Sequence, residues 1–112
     1  MKRDDRVYLM HILDAIGRVE TYLKNATKQQ FIEENMLHDA VIRQLEIVGE
    51  ASRNISEEIQ EKYSLIPWGQ IIAMRNRIVH AYFDVNLEIA WDIYIYDLPE
   101  LKPQIQKILD EL

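Results

Sequence analysis

Apolar residues recur every three or four positions along most of this 112-residue chain, and this spacing restricts its fold more than any other feature. The clearest series gives one helical stripe near the start: Leu9, Ile12, Leu13, Ile16, Val19 and Leu23. Strand-like alternation is hard to find, and the chain has only three glycines and three prolines. The pattern therefore predicts an all-α protein in which each helix buries one face.

Capping residues and helix breakers divide this pattern into separate helices. Thr27, Ser56 and Asn86 are expected N-caps. Asp97 and Pro99 are expected to separate the helix that precedes them from the last helix. The predicted helices cover residues 4–24, 28–34, 36–54, 57–63, 68–81 and 87–96, followed by a final one ending at 112. Since no linker or internal repeat separates them, we predict a single domain over residues 1–112, an up-and-down bundle of four to five main helices.

Two glycines lie inside the predicted long helices, where glycine costs up to about 1 kcal/mol relative to alanine. They are Gly17 in the first long helix and Gly49 in the second. A close approach between the backbones of these two helices would explain both.

Composition excludes several classes of protein. The chain has no cysteine, and His11, His38 and His80 are dispersed, so we expect no metal site and no cofactor. No apolar run is long enough for a membrane span or a signal peptide, so the expected compartment is the cytoplasm. The net charge of −6 argues against a protein that coats nucleic acid electrostatically, but it allows selective binding at one cationic site.

The chemistry of the chain concentrates in eight positions, from Arg75 to Tyr82, which also hold Asn76, Arg77 and His80. A guanidinium can hold two phosphate oxygens and keeps its charge, and an imidazole can take or give a proton near neutral pH. Cleavage of RNA through its own 2′-hydroxyl needs a base and an acid on opposite sides of phosphorus. A symmetric dimer would supply two histidines, where one chain offers one well-placed histidine.

Helical geometry complicates this site. If residues 68–81 form one helix, Asn76 and His80 share a face, whereas Arg75 points about 140° away from His80 and Tyr82 falls on the core stripe. Arg75 and His80 can then cooperate if the arginine side chain wraps round, if the helix end distorts, or if two copies meet across a dimer interface.

The second long helix carries a charged stripe whose role has two interpretations. The stripe contains Glu46 and Glu50. It is either a solvated face with ion pairs along the helix, or the wall of a cleft over the stretch from Arg75 to His80.

The segment Arg75-x4-His80-Ala81-Tyr82 resembles the R-x4-6-H-x-Y motif of the HEPN superfamily, in the branch of the HepT ribonuclease toxins. Flanking segments resemble the same branch: Ile66-Pro67-Trp68, Met74-Arg75-Asn76-Arg77, Trp91 and Asp97-Leu98-Pro99-Glu100-Leu101. The resemblance implies an all-α homodimer with a metal-independent endoribonuclease site at the dimer interface, acting on mRNA or tRNA. By position, Arg75 and His80 would be the catalytic pair, with Asn76 and Arg77 in support.

The resemblance also implies a partner, a minimal nucleotidyltransferase (MNT) antitoxin that silences the nuclease by AMPylation, adding AMP to Tyr82. Assembly with the antitoxin beyond the homodimer is left open, and no membrane partner is expected. Two other functions remain open from the residues themselves. One is a non-catalytic subunit that binds a nucleotide or substrate and docks the nucleotidyltransferase. The other is a structural dimerisation module in which Arg75 and Arg77 pair with carboxylates such as Glu46 or Glu50.

Overall fold

The computed structural model describes residues 4–81 and 84–112, with the backbone alone for His80 and Ala81. Its helices and strands are α1 (Asp5–Leu23), α2 (Lys28–Glu33), α3 (Asn35–Arg53), α4 (Glu57–Lys62), α5 (Trp68–Ile72), α6 (Met74–Ile78), β1 (Val79–Ala81), β2 (Asp84–Val85), α7 (Leu87–Asp92), a π-helical segment (Ile93–Asp97) and α8 (Leu98–Glu111). The predicted all-α class is confirmed. Within the described ranges, strand structure is confined to one short antiparallel pair.

The core lies where α1 and α3 pack along each other and α8 covers α1. Each of the three helices contributes one apolar stripe with helical spacing. The residues of these stripes are fully or almost fully buried: Leu9, Ile12, Ile16 and Val19 from α1, Val41, Leu45 and Val48 from α3, and Leu101, Ile105 and Ile108 from α8. Burial of this apolar surface is the main force that assembles the helices.

The three predicted N-caps are confirmed. Thr27 and Gln30 form a reciprocal capping box at α2, and Asn86 accepts a hydrogen bond from the backbone N–H of Ile89 in α7. Ser56 caps α4, and its hydroxyl and backbone N–H also donate to the Asp5 carboxylate over 2.7 and 2.8 Å. The start of α1 is thereby tied to the start of α4.

The predicted helix over residues 68–81 is wrong in its continuity and in its end. The helix is interrupted at Ala73, where φ is −82° and ψ is 12°, so two short helices replace one. Val79 then adopts an extended conformation, and β1 pairs with β2, with Val79 opposite Val85. The β-branched Val79 suits this geometry, but its apolar character had extended the helical pattern.

The predicted break between two helices at Asp97 and Pro99 is also wrong. The chain stays helical from α7 through the π-helical segment into α8, and the N–H of Leu98 donates to the carbonyl of Ile93, five residues back. Pro99 has no N–H to donate, so it fits the first positions of α8 without ending the helical path.

The close approach predicted from the glycines involves different helices. A Cβ added to Gly49 in α3 would lie 3.1 Å from the carbonyl oxygen of Ile71 and 3.3 Å from that of Ile72, so the helix that approaches α3 closely at this glycine is α5 and not α1. A Cβ added to Gly17 would meet no atom of the described residues within 4 Å. Only Gly49 is therefore required by packing.

None of the helices in the described part of the chain is long and apolar enough to cross a membrane.

The two glycines form a matched pair for a stability test. Gly17→Ala should raise the free energy of unfolding by up to about 1 kcal/mol, because alanine favours the helix and meets open space. Gly49→Ala should lower the free energy of unfolding by about 1 kcal/mol. Overpacking against rigid backbone costs roughly 1–3 kcal/mol, which outweighs the gain of up to about 1 kcal/mol in helix propensity. Urea denaturation measures both values. Equal stabilisation by the two substitutions would contradict the close approach at Gly49.

Candidate functional site

Arg75 lies on α6 and faces α3. Its Nε atom is 3.4 Å from Oε2 of Glu46, while the arginine side chain remains 64% exposed. An ion pair this open to water contributes little stability. The guanidinium therefore lies beside α3 and remains accessible to a ligand.

A cleft of about 220 Å³ surrounds this contact. Its charged and polar lining consists of Arg43, Glu46, Glu50, Arg53, Arg75 and Asn76, and Gly49 with Ile72 forms its floor. Three guanidiniums against two carboxylates give a formal charge of +1, on a chain whose net charge is −6. The cleft is thus a local positive region on an acidic protein, which suits an anionic ligand.

Glu46 and Glu50 of the charged stripe on α3 both line this cleft with Arg75. That the stripe forms the wall of a functional cleft reaching His80 stays a prediction. The solvated face persists beside it, since Glu50 is exposed and Glu46 is 31% exposed. Arg43 and Arg53 belong to the same stripe and also line the cleft, although they were not predicted as site residues. Their helical spacing with Glu46 and Glu50 is the feature of the sequence that could have identified them.

Asn76 is exposed and lies in the same cleft as Arg75. His80, predicted to share a helical face with Asn76, instead lies on β1, two positions after the last residue of α6. The angle of about 140° that one continuous helix would place between the Arg75 and His80 side chains therefore does not apply. Of the three geometries left open, a changed helix end is the one that the backbone adopts. Tyr82, and with it the predicted core-side placement of its ring, lies outside the described residues.

Arg77 points away from Arg75. Its Nη2 atom donates to Oδ2 of Asp97 over 3.0 Å, and the two side chains are 32% and 41% exposed. The pair lines a second cavity of about 190 Å³, between α5, α6 and the start of α8. The structure therefore does not bring Arg77 to the Arg75 cleft, where the prediction had placed it as a supporting residue.

Both arginines thus contact a carboxylate of their own chain, as a purely structural role would require. The partner of Arg77 is Asp97, however, and not Glu46 or Glu50. Exposure separates the two cases, because Arg75 is twice as open to solvent as Arg77.

The remaining histidines lie apart from one another. His11 is exposed with its ring edge against Tyr8, whereas His38 is mostly buried and places Nδ1 3.0 Å from the carbonyl oxygen of Phe31. Among residues 4–79 and 84–112, whose side chains the structure describes, no three histidine or carboxylate side chains converge as metal ligands do. What the described cleft offers is chemistry of another kind: guanidinium groups that can bind an oxyanion. His80 follows α6 along the chain, on β1.

An α-helical fold with an arginine-lined cleft defines a protein that can bind an anionic ligand, and comparison with known proteins identifies the family. The family model described as Ribonuclease HepT-like matches residues 12–108. The chain belongs to this family, and the resemblance to the HepT branch is confirmed.

Individual relatives agree with this assignment. A protein from Thermococcus cleftensis named probable ribonuclease HepT is 36% identical over 96% of this chain and 98% of its own length. A candidate RNase of Caldanaerobacter subterraneus is 38% identical over 95% of both chains. A protein of Methanocaldococcus jannaschii, described as a gamma-glutamylcyclotransferase and candidate RNase, is 43% identical over the whole of this chain, which spans half of that relative. No solved structure matches the chain at a significant level.

Proposed function

We propose that the protein is a metal-independent endoribonuclease, the toxin of a HEPN/MNT toxin–antitoxin pair, acting on mRNA or tRNA in the cytoplasm. The observation that carries the proposal is the exposed guanidinium of Arg75, held over a positively charged cleft in a chain of the HepT-like ribonuclease family. Arg75 binds the scissile phosphate there and stabilises the charge that builds on phosphorus. Asn76, in the same cleft, supports it.

His80 supplies proton transfer in this mechanism. It takes the proton of the 2′-hydroxyl as a base, or protonates the leaving 5′-oxygen as an acid. One imidazole cannot do both at once in a single chain. We infer that two copies form a homodimer in which the β1 strands and α6 helices of both chains complete one site, so that two histidines share the work.

Metal-free cleavage tests this proposal. The purified protein should cut single-stranded RNA in the presence of EDTA and leave 2′,3′-cyclic phosphate ends, which mass spectrometry of the products detects. Arg75→Ala and His80→Ala should each lower kcat by roughly 10²- to 10³-fold, because one removes charge stabilisation and the other removes proton transfer.

Arg18→Ala is the matched control, because Arg18 is an exposed arginine on α1 paired with Asp14 and lies outside the cleft. It should keep full activity. If folded Arg75→Ala and His80→Ala proteins cut RNA as fast as the unaltered protein, the site is wrongly assigned.

The proposal includes regulation by a partner. We propose that a minimal nucleotidyltransferase antitoxin transfers AMP from ATP to the hydroxyl oxygen of Tyr82, two residues after His80, with release of pyrophosphate and the hydroxyl proton. A phosphodiester at that point adds negative charge and bulk beside the proposed base, so it would repel the RNA phosphate and block the cleft.

Intact mass measures this modification. The protein produced together with the nucleotidyltransferase should gain the mass of one or more AMP groups relative to the protein produced alone, and Tyr82→Phe should remain unmodified. Tyr94→Phe is the control, since Tyr94 belongs to the π-helical segment. Undiminished AMP on Tyr82→Phe would exclude Tyr82 as the acceptor.

A second candidate function is a structural dimerisation module without a ligand, and the two intrachain ion pairs of Arg75 and Arg77 favour it. Such a module would hold two copies together without cleaving RNA. The cleavage assay separates the two functions, because the module would leave RNA intact.

A further inference from the structure

The ion pair between Arg77 and Asp97 joins two segments that are distant in sequence. It links α6 to the π-helical segment across 20 residues, with a hydrogen bond of 3.0 Å in partly buried surroundings. Four other ion pairs in the described ranges involve Lys or Arg, and most of their side chains are more exposed than Arg77. Reduced exposure makes this pair costlier to break from one side, since the remaining charge loses its partner.

The π-helical turn decides where Asp97 points. Ile93 and Leu98 both face the core, with exposures of 1% and 2%, so the buried positions step by five residues at this point. In a regular α-helix the step would be three or four, and residue 97 would follow Ile93 on the buried face. The extra residue of the π turn gives the core position to Leu98 and moves Asp97 to the rim, beside Arg77.

Arg77 is one of few anchors on α6. This helix has only five residues, too few to hold its direction without tertiary contacts. Met74 and Ile78 are fully buried and fix its inner face, and Arg77 fixes its flank. Because α6 is continuous with β1, the same contacts set the direction of Arg75 and the start of the strand that carries His80.

We propose that Arg77 is a positioning residue, which acts through Asp97 and does not bind RNA. The pair clamps the end of α6 to the π-helical segment, so that Arg75 faces the α3 cleft and β1 begins at Val79. The two arginines thus have opposite tasks: Arg75 faces the ligand, and Arg77 faces the protein. The catalytic part of this inference rests on the proposed ribonuclease function.

Asp97→Asn distinguishes positioning from RNA contact by the sign of its effect. If Arg77 touches RNA, removal of the competing Asp97 charge frees the arginine and strengthens RNA binding. If Arg77 is a positioning residue, Asp97→Asn loosens α6 and weakens catalysis. We expect kcat to fall by about tenfold to a hundredfold in both Asp97→Asn and Arg77→Ala, the range that small misplacements of reacting groups cause. KM should stay within about twofold of that of the unaltered protein.

Salt dependence provides a second measure. A phosphate contact contributes about one unit to the slope of log affinity against log salt, so its loss in Arg77→Ala would reduce the slope by about that amount. The positioning role predicts an unchanged slope. Arg77→Lys retains a cation that can reach Asp97 and should recover most of the lost kcat.

Backbone amide resonances test the clamp without any RNA. In Asp97→Asn and Arg77→Ala, the amides of residues 74–81 should shift together, while those of α1 stay in place. The matched control is Arg18→Ala, which breaks an arginine–aspartate bridge of the same 3.0 Å length on the exposed face of α1 and should disturb neither α6 nor kcat. Unmoved α6 and β1 amides, or tighter RNA binding by Asp97→Asn, would overturn the positioning role. If the unaltered protein cuts no RNA but these amides still shift, the proposed ribonuclease function fails and the clamp stands.

Discussion

The site depends on the close approach of α3 to the end of α5 at Gly49. A glycine there lets the backbone carbonyls of Ile71 and Ile72 come within contact distance of α3. The helix is interrupted at Ala73 directly afterwards. The next helix, α6, then places Nε of Arg75 3.4 Å from Oε2 of Glu46. A larger residue at Gly49 would push α5 and α6 outwards, and the cleft lined by α3 and α6 would change shape. Packing at the smallest side chain therefore helps to shape the cleft that Arg75 lines.

Arg75 and Arg77 lie on two sides of α6 and contact different parts of the protein. On one side Arg75 meets an α3 wall that mixes arginines and glutamates and stays open to water. On the other, Arg77 is closed against Asp97 on the π-helical segment. Two identical side chains two positions apart thus have different exposures because the helix sends them to different neighbours. Exposure, rather than residue type, therefore distinguishes the two arginines of α6.

Local signals in the sequence predicted most of the helices, while the site needed information that is not local. The caps at Thr27, Ser56 and Asn86 were correct because a cap is decided by a few adjacent residues. The end of α6 was missed because apolar residues continue past Ile78 into β1, where pairing with Asp84–Val85 replaces helix bonds. The partner of Arg77 was missed because one extra residue in a π turn, which no periodicity reveals, turns Asp97 outwards. Glu46 and Glu50 could be placed near Arg75 only as one of two alternatives, since spacing alone does not show what a charged face meets.

A mixed dimer tests the central claim, that two copies complete one site between them. The unaltered chain would be co-expressed with a chain carrying both Arg75→Ala and His80→Ala, the two chains bearing different tags, and the heterodimer would be purified through both. If each site needs residues from both copies, the heterodimer should lose RNA cleavage by about tenfold or more relative to the unaltered homodimer. Retention of about half of the homodimer activity would show that each chain carries a complete site, and would contradict the claim.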